Sequence, residues 1–232
     1  MPKAVLFDCD GVLVDSEYMK FEAWRNALQL ENISLSLAEY KKVAGASSKI
    51  IAQSIMQEKQ CNFDAANIIE RKNAFYKQAN LQGVPPIPAA AKYLNDLLDQ
   101  KDALDLKVAV VSSDARENTL RNLKSAAINI NLLDGVFSGH DDLQHINDPE
   151  GTNKPKPYIY ELTAEKLCVP AKNSIVFEDT NSGVVAAFLA GMVAIAIPNK
   201  FTEQHDFSKA ILITTFDTFE IADLNKILNS IA

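Results

Sequence analysis

Val5-Leu6-Phe7-Asp8-Cys9-Asp10-Gly11 stands almost at the start of the chain. The apolar run, residues 4–7, is too short for a helix. It ends in two carboxylates two residues apart and then a glycine. Short apolar runs bounded by polar turns read as buried strands. In extended backbone, residues two apart point the same way, so Asp8 and Asp10 can face one site. One can ligate a hard cation or attack phosphorus while the other moves a proton. Gly11 lets the backbone turn sharply and approach an anion. The competing reading is a polar turn at a strand end, and this pattern alone does not separate the two.

The same arrangement recurs further along the chain. Residues 107–111 form an apolar run that leads into Ser112, and residues 174–177 lead into Glu178 and Asp179. Brief runs at 136–137, 192–197 and 211–214 read as further strands. Residues 88–99, 116–126, 157–167 and 181–190 carry apolar side chains at helical spacing. This alternation predicts an α/β fold, a Rossmann-like, mostly parallel sheet covered by helices on both faces. In such sheets the carboxyl ends of the strands form the ligand crevice. Three strands ending in Asp8, Ser112 and Glu178-Asp179 therefore bring oxygen ligands into one small volume.

Each of these elements has a functional and a structural reading. Ser112 can donate to a phosphate oxygen beside the N-terminus of the next helix, with Ser113 or Asp114 capping that helix. In Lys154-Pro155-Lys156-Pro157 the prolines fix the backbone, so Lys154 can deliver a point charge to a phosphate, while Lys156 reads as a solvated surface lysine. Glu178 and Asp179 precede a glycine-bearing turn and suit Mg²⁺; capping by Asp179 is the structural alternative.

One interval breaks the alternation. Residues 18–30, 48–59 and 64–81 are helical in pattern, with Ile51, Ile55, Ile68, Ile69, Phe75, Tyr76 and Ala79 supplying apolar faces. Val84-Pro85-Pro86-Ile87-Pro88 closes the interval. One strand–helix crossover rarely needs so many residues. The reading is a helical domain, residues 15–83, inserted after the first strand of a core made of 1–14 and 84–232.

Composition limits the function classes. At ~150 residues per domain, 232 residues make one large domain or two small ones. With 47% hydrophobic and 23% charged residues the chain can bury a core. No apolar run reaches the roughly 18 residues of a membrane span. The first run meets Asp8 too soon for a signal peptide, so the expected location is the cytoplasm. A net charge of -7 argues against nucleic acid or an anionic membrane as partner. Cys9, Cys61 and Cys168 read as reduced thiols. His140, His145 and His205 are too scattered for a metal cluster.

These residues resemble the haloacid dehalogenase superfamily of phosphotransferases over nearly the whole chain. The stretch from Val5 through Asp8-Cys9-Asp10-Gly11-Val12-Leu13-Val14-Asp15-Ser16-Glu17 looks like that family's opening motif. Ser112, Lys154-Pro155 and Glu178-Asp179 look like its second, third and fourth motifs in the right order. The insert is similar to its small helical cap, and the subgroup resembled is that of β-phosphoglucomutase-like enzymes and small sugar-phosphate phosphatases. The resemblance implies that Asp8 attacks phosphorus and forms an aspartyl-phosphate. It implies that Asp10 protonates the leaving oxygen and then activates water. Mg²⁺ would be held by Asp8, the backbone carbonyl of Asp10, and Asp179, with Glu178 beside it through water. Ser112 and Lys154 would hold the phosphoryl oxygens.

The chain also departs from that pattern. The third motif usually reads Lys-Pro-Ala-Pro-Asp, whereas here it is Lys154-Pro155-Lys156-Pro157-Tyr158. Residues 139–153 are longer than the norm, and His140, Asp141, Asp142 and His145 read either as reaching the crevice rim or as a solvated loop. Lys20 stands where the mutases carry a histidine, which weakens a mutase reading. Gly45-Ala46-Ser47-Ser48-Lys49 resembles a substrate-reading loop with Gly45 as hinge, and Lys72 matches a cap lysine that faces substrate. Lys49 and Lys72 read equally as solvated helix residues. The leading expectation is a monomeric, Mg²⁺-dependent phosphatase of small phosphorylated metabolites, such as sugar or sugar-acid phosphates. A phosphomutase and a non-catalytic phosphoester-binding protein are the alternatives; a dehalogenase fits poorly because that chemistry lacks Mg²⁺ and the second aspartate.

Overall fold

The computed structural model describes residues 2–231. Six strands, β1 (Lys3–Asp8), β2 (Leu106–Ser112), β3 (Gly135–Ser138), β4 (Ser174–Glu178), β5 (Val193–Ala196) and β6 (Leu212–Ile213), form one sheet in the order β3-β2-β1-β4-β5-β6. Every neighbouring pair is parallel. Each apolar run expected to be a strand is one. Helices α1 (Glu17–Gln29), α2 (Leu37–Lys41), α3 (Ser48–Lys59), α4 (Ala65–Ala79) and α5 (Pro88–Gln100) lie between β1 and β2, and the first four make the inserted helical cap. By its contacts the chain divides into two compact units, Ser16–Gln82 and the residues on either side of it, and α5 belongs to the flanking unit. The remaining helices are α6 (Arg116–Ser125), α7 (Gly139–Asp142), α8 (Tyr158–Leu167), α9 (Asn181–Leu189) and α10 (Ile221–Ser230).

β1 is central, so its Ala4, Val5, Leu6 and Phe7 are buried on both faces, which is why they form an unbroken apolar run. Successive side chains then alternate between faces. Phe7 packs on Phe177 at 4.9 Å between ring centroids, beside Tyr93 and Phe216. Leu6 and Val176 lie in a second cluster with Ala109, Val111, Ile159, Tyr160 and Val184. Asp8 is two residues beyond Leu6 and Glu178 is two beyond Val176. The pleat thus sends both carboxylates toward the face that carries Tyr160.

Within the insert, α1 buries Phe21, Trp24 and Leu28, and α4 buries Ile68 and Tyr76. Ala79, expected on an apolar face, is exposed in the last turn of α4. α2 was not expected; five residues carry too little periodicity, although Ser36 and Glu39 form a capping box at its start. α10 was also not expected and buries Leu224 and Leu228. Lys20 pairs with the buried Glu17 at 2.7 Å. Lys72 lies 5.9 Å from the Trp24 ring centroid and 5.7 Å from that of Tyr76, while Lys49 is exposed. Gly45 has a φ of +75° in the turn before α3. Among the described residues no helix is long and apolar enough to cross a membrane.

Candidate active site

The parallel register assembles the site. Asp8 pairs with Val111, one residue before Ser112, and Phe7 pairs with Phe177, one residue before Glu178. Asp8, Ser112 and Glu178 therefore end three adjacent strands at one level. The Lys154 ammonium lies 2.6 Å from Asp8 Oδ1 and 2.6 Å from Glu178 Oε1. The Ser112 hydroxyl donates to Asp10 Oδ2 at 3.4 Å and accepts the Asp114 N–H at 3.1 Å. Asp8, Ser112, Glu178 and Asp179 are buried, and Asp10 is half-buried.

The loop after β1 is folded tightly on itself. Gly11 N–H donates to the Val14 carbonyl at 2.8 Å, and Leu13 and Val14 both donate to the Cys9 carbonyl. Gly11 has a φ of +86°, and a Cβ there would run into the Asp179 carboxylate. Glycine is required for both reasons. On the far side of Glu178, a Cβ at Gly183 would overlap its carboxyl group. Two glycines thus make room for the two acids at the end of β4.

The electrostatics are strongly coupled. Burial works against charge on Lys154, but Asp8 and Glu178 outweigh it and hold the ammonium well above its ordinary value. Burial pushes Asp8 up to about 7; Lys154 opposes that rise, while Glu178 and Asp10 add to it. One cation facing several buried acids leaves an excess of negative charge. One ligand oxygen from each of Asp8, Glu178 and Asp179 lies within 4.8 Å of the others. An all-oxygen, charge-rich donor set of this kind fits a hard divalent cation such as Mg²⁺.

Several structural expectations need correction. α9 is capped by Thr180, whose hydroxyl accepts the Gly183 N–H at 3.1 Å, and not by Asp179. α6 starts after Ala115, and neither Ser113 nor Asp114 caps it. Asp114 Oδ1 accepts the adjacent Ala115 N–H, and Asp141 accepts the Arg116 N–H. The segment after β3 is not a solvated loop at its start. It forms α7, where Asp142 binds the Arg116 guanidinium through both oxygens and Asp141 accepts from Ser138. These acids join the ends of β2 and β3. Lys156 stays at the surface, as expected, and there it pairs with Glu150 at 2.8 Å and Asp148 at 3.3 Å.

Some site residues escaped sequence reasoning. Tyr160 donates to Glu178, and Asn199 donates to Asp179. Asn199 follows the end of β5, so the strand-end rule that picked out Asp8 and Ser112 points to it as well. Tyr160, inside a helix, carries no such signal.

Residues 5–197 match the family model described as haloacid dehalogenase-like hydrolase. The chain belongs to that family of hydrolases. It is 26% identical over 193 residues to the phosphorylated carbohydrates phosphatase of Thermotoga maritima, covering 83% of each chain. It is 26% identical over 204 residues to the β-phosphoglucomutase of Bacillus subtilis, covering 84% of this chain and 83% of the relative. In fold it is similar to CbbY of Rhodobacter sphaeroides solved with phosphate, with a TM-score of 0.74, 21% identity and coverage of 97% and 100% of the two chains.

Proposed function

We propose that this chain is a Mg²⁺-dependent phosphoric monoester hydrolase acting on small phosphorylated metabolites, sugar or sugar-acid phosphates, through an aspartyl-phosphate on Asp8. The observation that carries the reading is the single ammonium of Lys154 at 2.6 Å from both Asp8 and Glu178, among buried acids suited to a divalent cation.

In the first step an Asp8 carboxylate oxygen attacks phosphorus and the P–O bond to the metabolite breaks. Asp10 gives its proton to the departing oxygen. In the second step water attacks the phosphoryl group, Asp10 takes the proton, and the Asp8 carboxylate leaves. Lys154 and the Ser112 hydroxyl hold the phosphoryl oxygens throughout, because phosphoryl transfer depends mainly on positioning and charge neutralisation. When bound by Asp8, the Asp10 carbonyl and Asp179, with Glu178 beside it, Mg²⁺ neutralises charge on the phosphoryl group and lets an anionic nucleophile approach it.

In this reading residues 1–14 and 84–232 are catalytic, and the insert, 15–83, selects the metabolite. The substrate class rests on the relative that acts on phosphorylated carbohydrates. The enzyme works as a cytoplasmic monomer, a setting in which three reduced cysteines are stable. A panel of phosphorylated metabolites, assayed for phosphate release with Mg²⁺ and with excess chelator, tests the proposal. Release should require Mg²⁺ and disappear in Asp8→Asn. Full activity in chelator, or in Asp8→Asn, would refute it. Isomerised sugar phosphate formed only with a sugar bisphosphate activator would favour a phosphomutase instead, the activity named for the Bacillus subtilis relative.

A further inference from the structure

We infer that Asn199 is a positioning residue that sets the Asp179 carboxylate for cation binding. The inference rests on the proposed role of Asp179 as a metal ligand.

Asn199 sits in the turn after β5. Its backbone N–H donates to the Thr202 hydroxyl at 3.0 Å, and the Thr202 N–H returns a bond to the Asn199 carbonyl at 3.0 Å. Its side-chain Oδ1 accepts the Phe201 N–H at 2.9 Å. Thr202 and Phe201 are themselves buried, so the turn is anchored. The Phe201 N–H can only face an acceptor, which decides which way round the amide lies. Nδ2 must then point away from Phe201. It donates to Asp179 Oδ2 at 2.7 Å and to the Gly11 carbonyl at 3.3 Å.

One amide group therefore joins the loops after β1, β4 and β5. Gly11 allows this approach, since a Cβ there would meet Asp179 and stand 3.0 Å from Asn199 Nδ2. The charge type of the donor also matters. A neutral amide orients a carboxylate oxygen without placing a competing positive charge beside it. The adjacent Lys200 would place one there, but its ammonium lies 3.2 Å from Asp15 instead. Partners that orient a ligand in this way are typically worth about 10–100-fold in metal affinity.

The test is a Mn²⁺ titration of the metal-free protein by electron paramagnetic resonance, with Mn²⁺ standing in for Mg²⁺. Asn199→Ala should weaken Mn²⁺ binding by about 10–100-fold. Its kcat should recover at saturating metal, while the metal concentration for half-activation rises in step with the dissociation constant. A melting temperature measured without metal separates this from a structural role. Lower melting with unchanged Mn²⁺ affinity would overturn the inference. Should Asn199→Ala fail to fold, Asn199→Ser keeps a polar side chain in the turn and is read the same way. Asp179→Asn serves as the reference. If it binds Mn²⁺ as wild type does, the role of Asp179 fails and this inference with it. If it loses Mn²⁺ while Asn199→Ala keeps it, only the assignment to Asn199 fails.

Discussion

The hydroxyl of Tyr160 donates to Glu178 Oε1 at 2.6 Å, and both side chains are buried. Lys154 donates to the same oxygen at 2.6 Å, and its ammonium lies 4.9 Å from the Tyr160 ring centroid. Burial and then the charge of Glu178 push the Tyr160 phenol well above its ordinary value, so it remains a proton donor. Tyr160→Phe keeps the ring beside the ammonium and removes one donor from a buried carboxylate. It should lower the unfolding free energy by about 1–3 kcal/mol, measured by urea denaturation. A variant as stable as wild type would show that the bond contributes no net stability.

Gly183 lies in the first turn of α9, where alanine is ordinarily the better helix former by about 1 kcal/mol. Here a Cβ would occupy the place of the Glu178 carboxyl group. Gly183→Ala should therefore destabilise the protein, by about 1–3 kcal/mol, the usual cost of overpacking. A rise in melting temperature would contradict this account of the end of β4.

The two aspartates after β1 should separate kinetically. Asp10→Asn should keep the fold and lose proton transfer, a contribution of roughly 10²–10⁴ in rate. The loss should be smaller for formation of aspartyl-phosphate from p-nitrophenyl phosphate, whose leaving group departs without help, than from a sugar phosphate. Hydrolysis of the intermediate should stay slow, so rapid quenching should show a burst of nitrophenolate and phosphorylated enzyme. Turnover of sugar phosphates at the wild-type rate would remove Asp10 from the role of general acid.

The insert should carry its own acid sensitivity. The Lys59 ammonium and the Ser36 N–H and hydroxyl bind Glu39 and lower its carboxyl from 4.5 to about 2. A folded-state value below the unfolded one stabilises above the unfolded value, and the gain is lost as pH falls through the folded one. The stability difference between wild type and Glu39→Gln should therefore be full above about pH 4.5 and shrink to nothing near pH 2. Urea denaturation across that range measures it. A difference that did not change with pH would mean the charge of Glu39 is not involved.

The residues that depart from the expected third motif hold the long segment before it. Asp148 Oδ2 accepts the Tyr158 hydroxyl at 2.9 Å and lies 3.3 Å from the Lys156 ammonium. The Gly151 N–H folds back on the Asp148 carbonyl at 2.9 Å. Asp148→Ala should loosen residues 143–153 while changing global stability by no more than about 1 kcal/mol, since the contacts are near the surface. Hydrogen exchange should show faster exchange confined to that segment. Equal protection in both proteins would mean that Lys156 and Tyr158 do not anchor it.

The strand ends that carry Asp8, Ser112, Glu178 and Asp179 were legible because a parallel strand buried on both faces is an unbroken apolar run. Chemistry begins at the residue where that run stops. The excess length between the first two strands likewise announced an insert. Local pattern could not tell that β1 would lie between β2 and β4, although this neighbourhood is what brings Ser112 and Glu178 beside Asp8. Nor could it tell that Asp179 turns toward Gly11 and Asn199 while Thr180 takes the cap, or that Asp142 meets Arg116 instead of solvent. Tyr160, inside α8, came to the site only through packing, and the partner that Asn199 finds beyond β5, the Asp179 carboxylate, is set by the neighbouring strand. Whether a run is apolar is a property of a few consecutive residues. Where a polar side chain finds its partner depends on which distant strand the sheet sets beside it, and only the tertiary structure decides that.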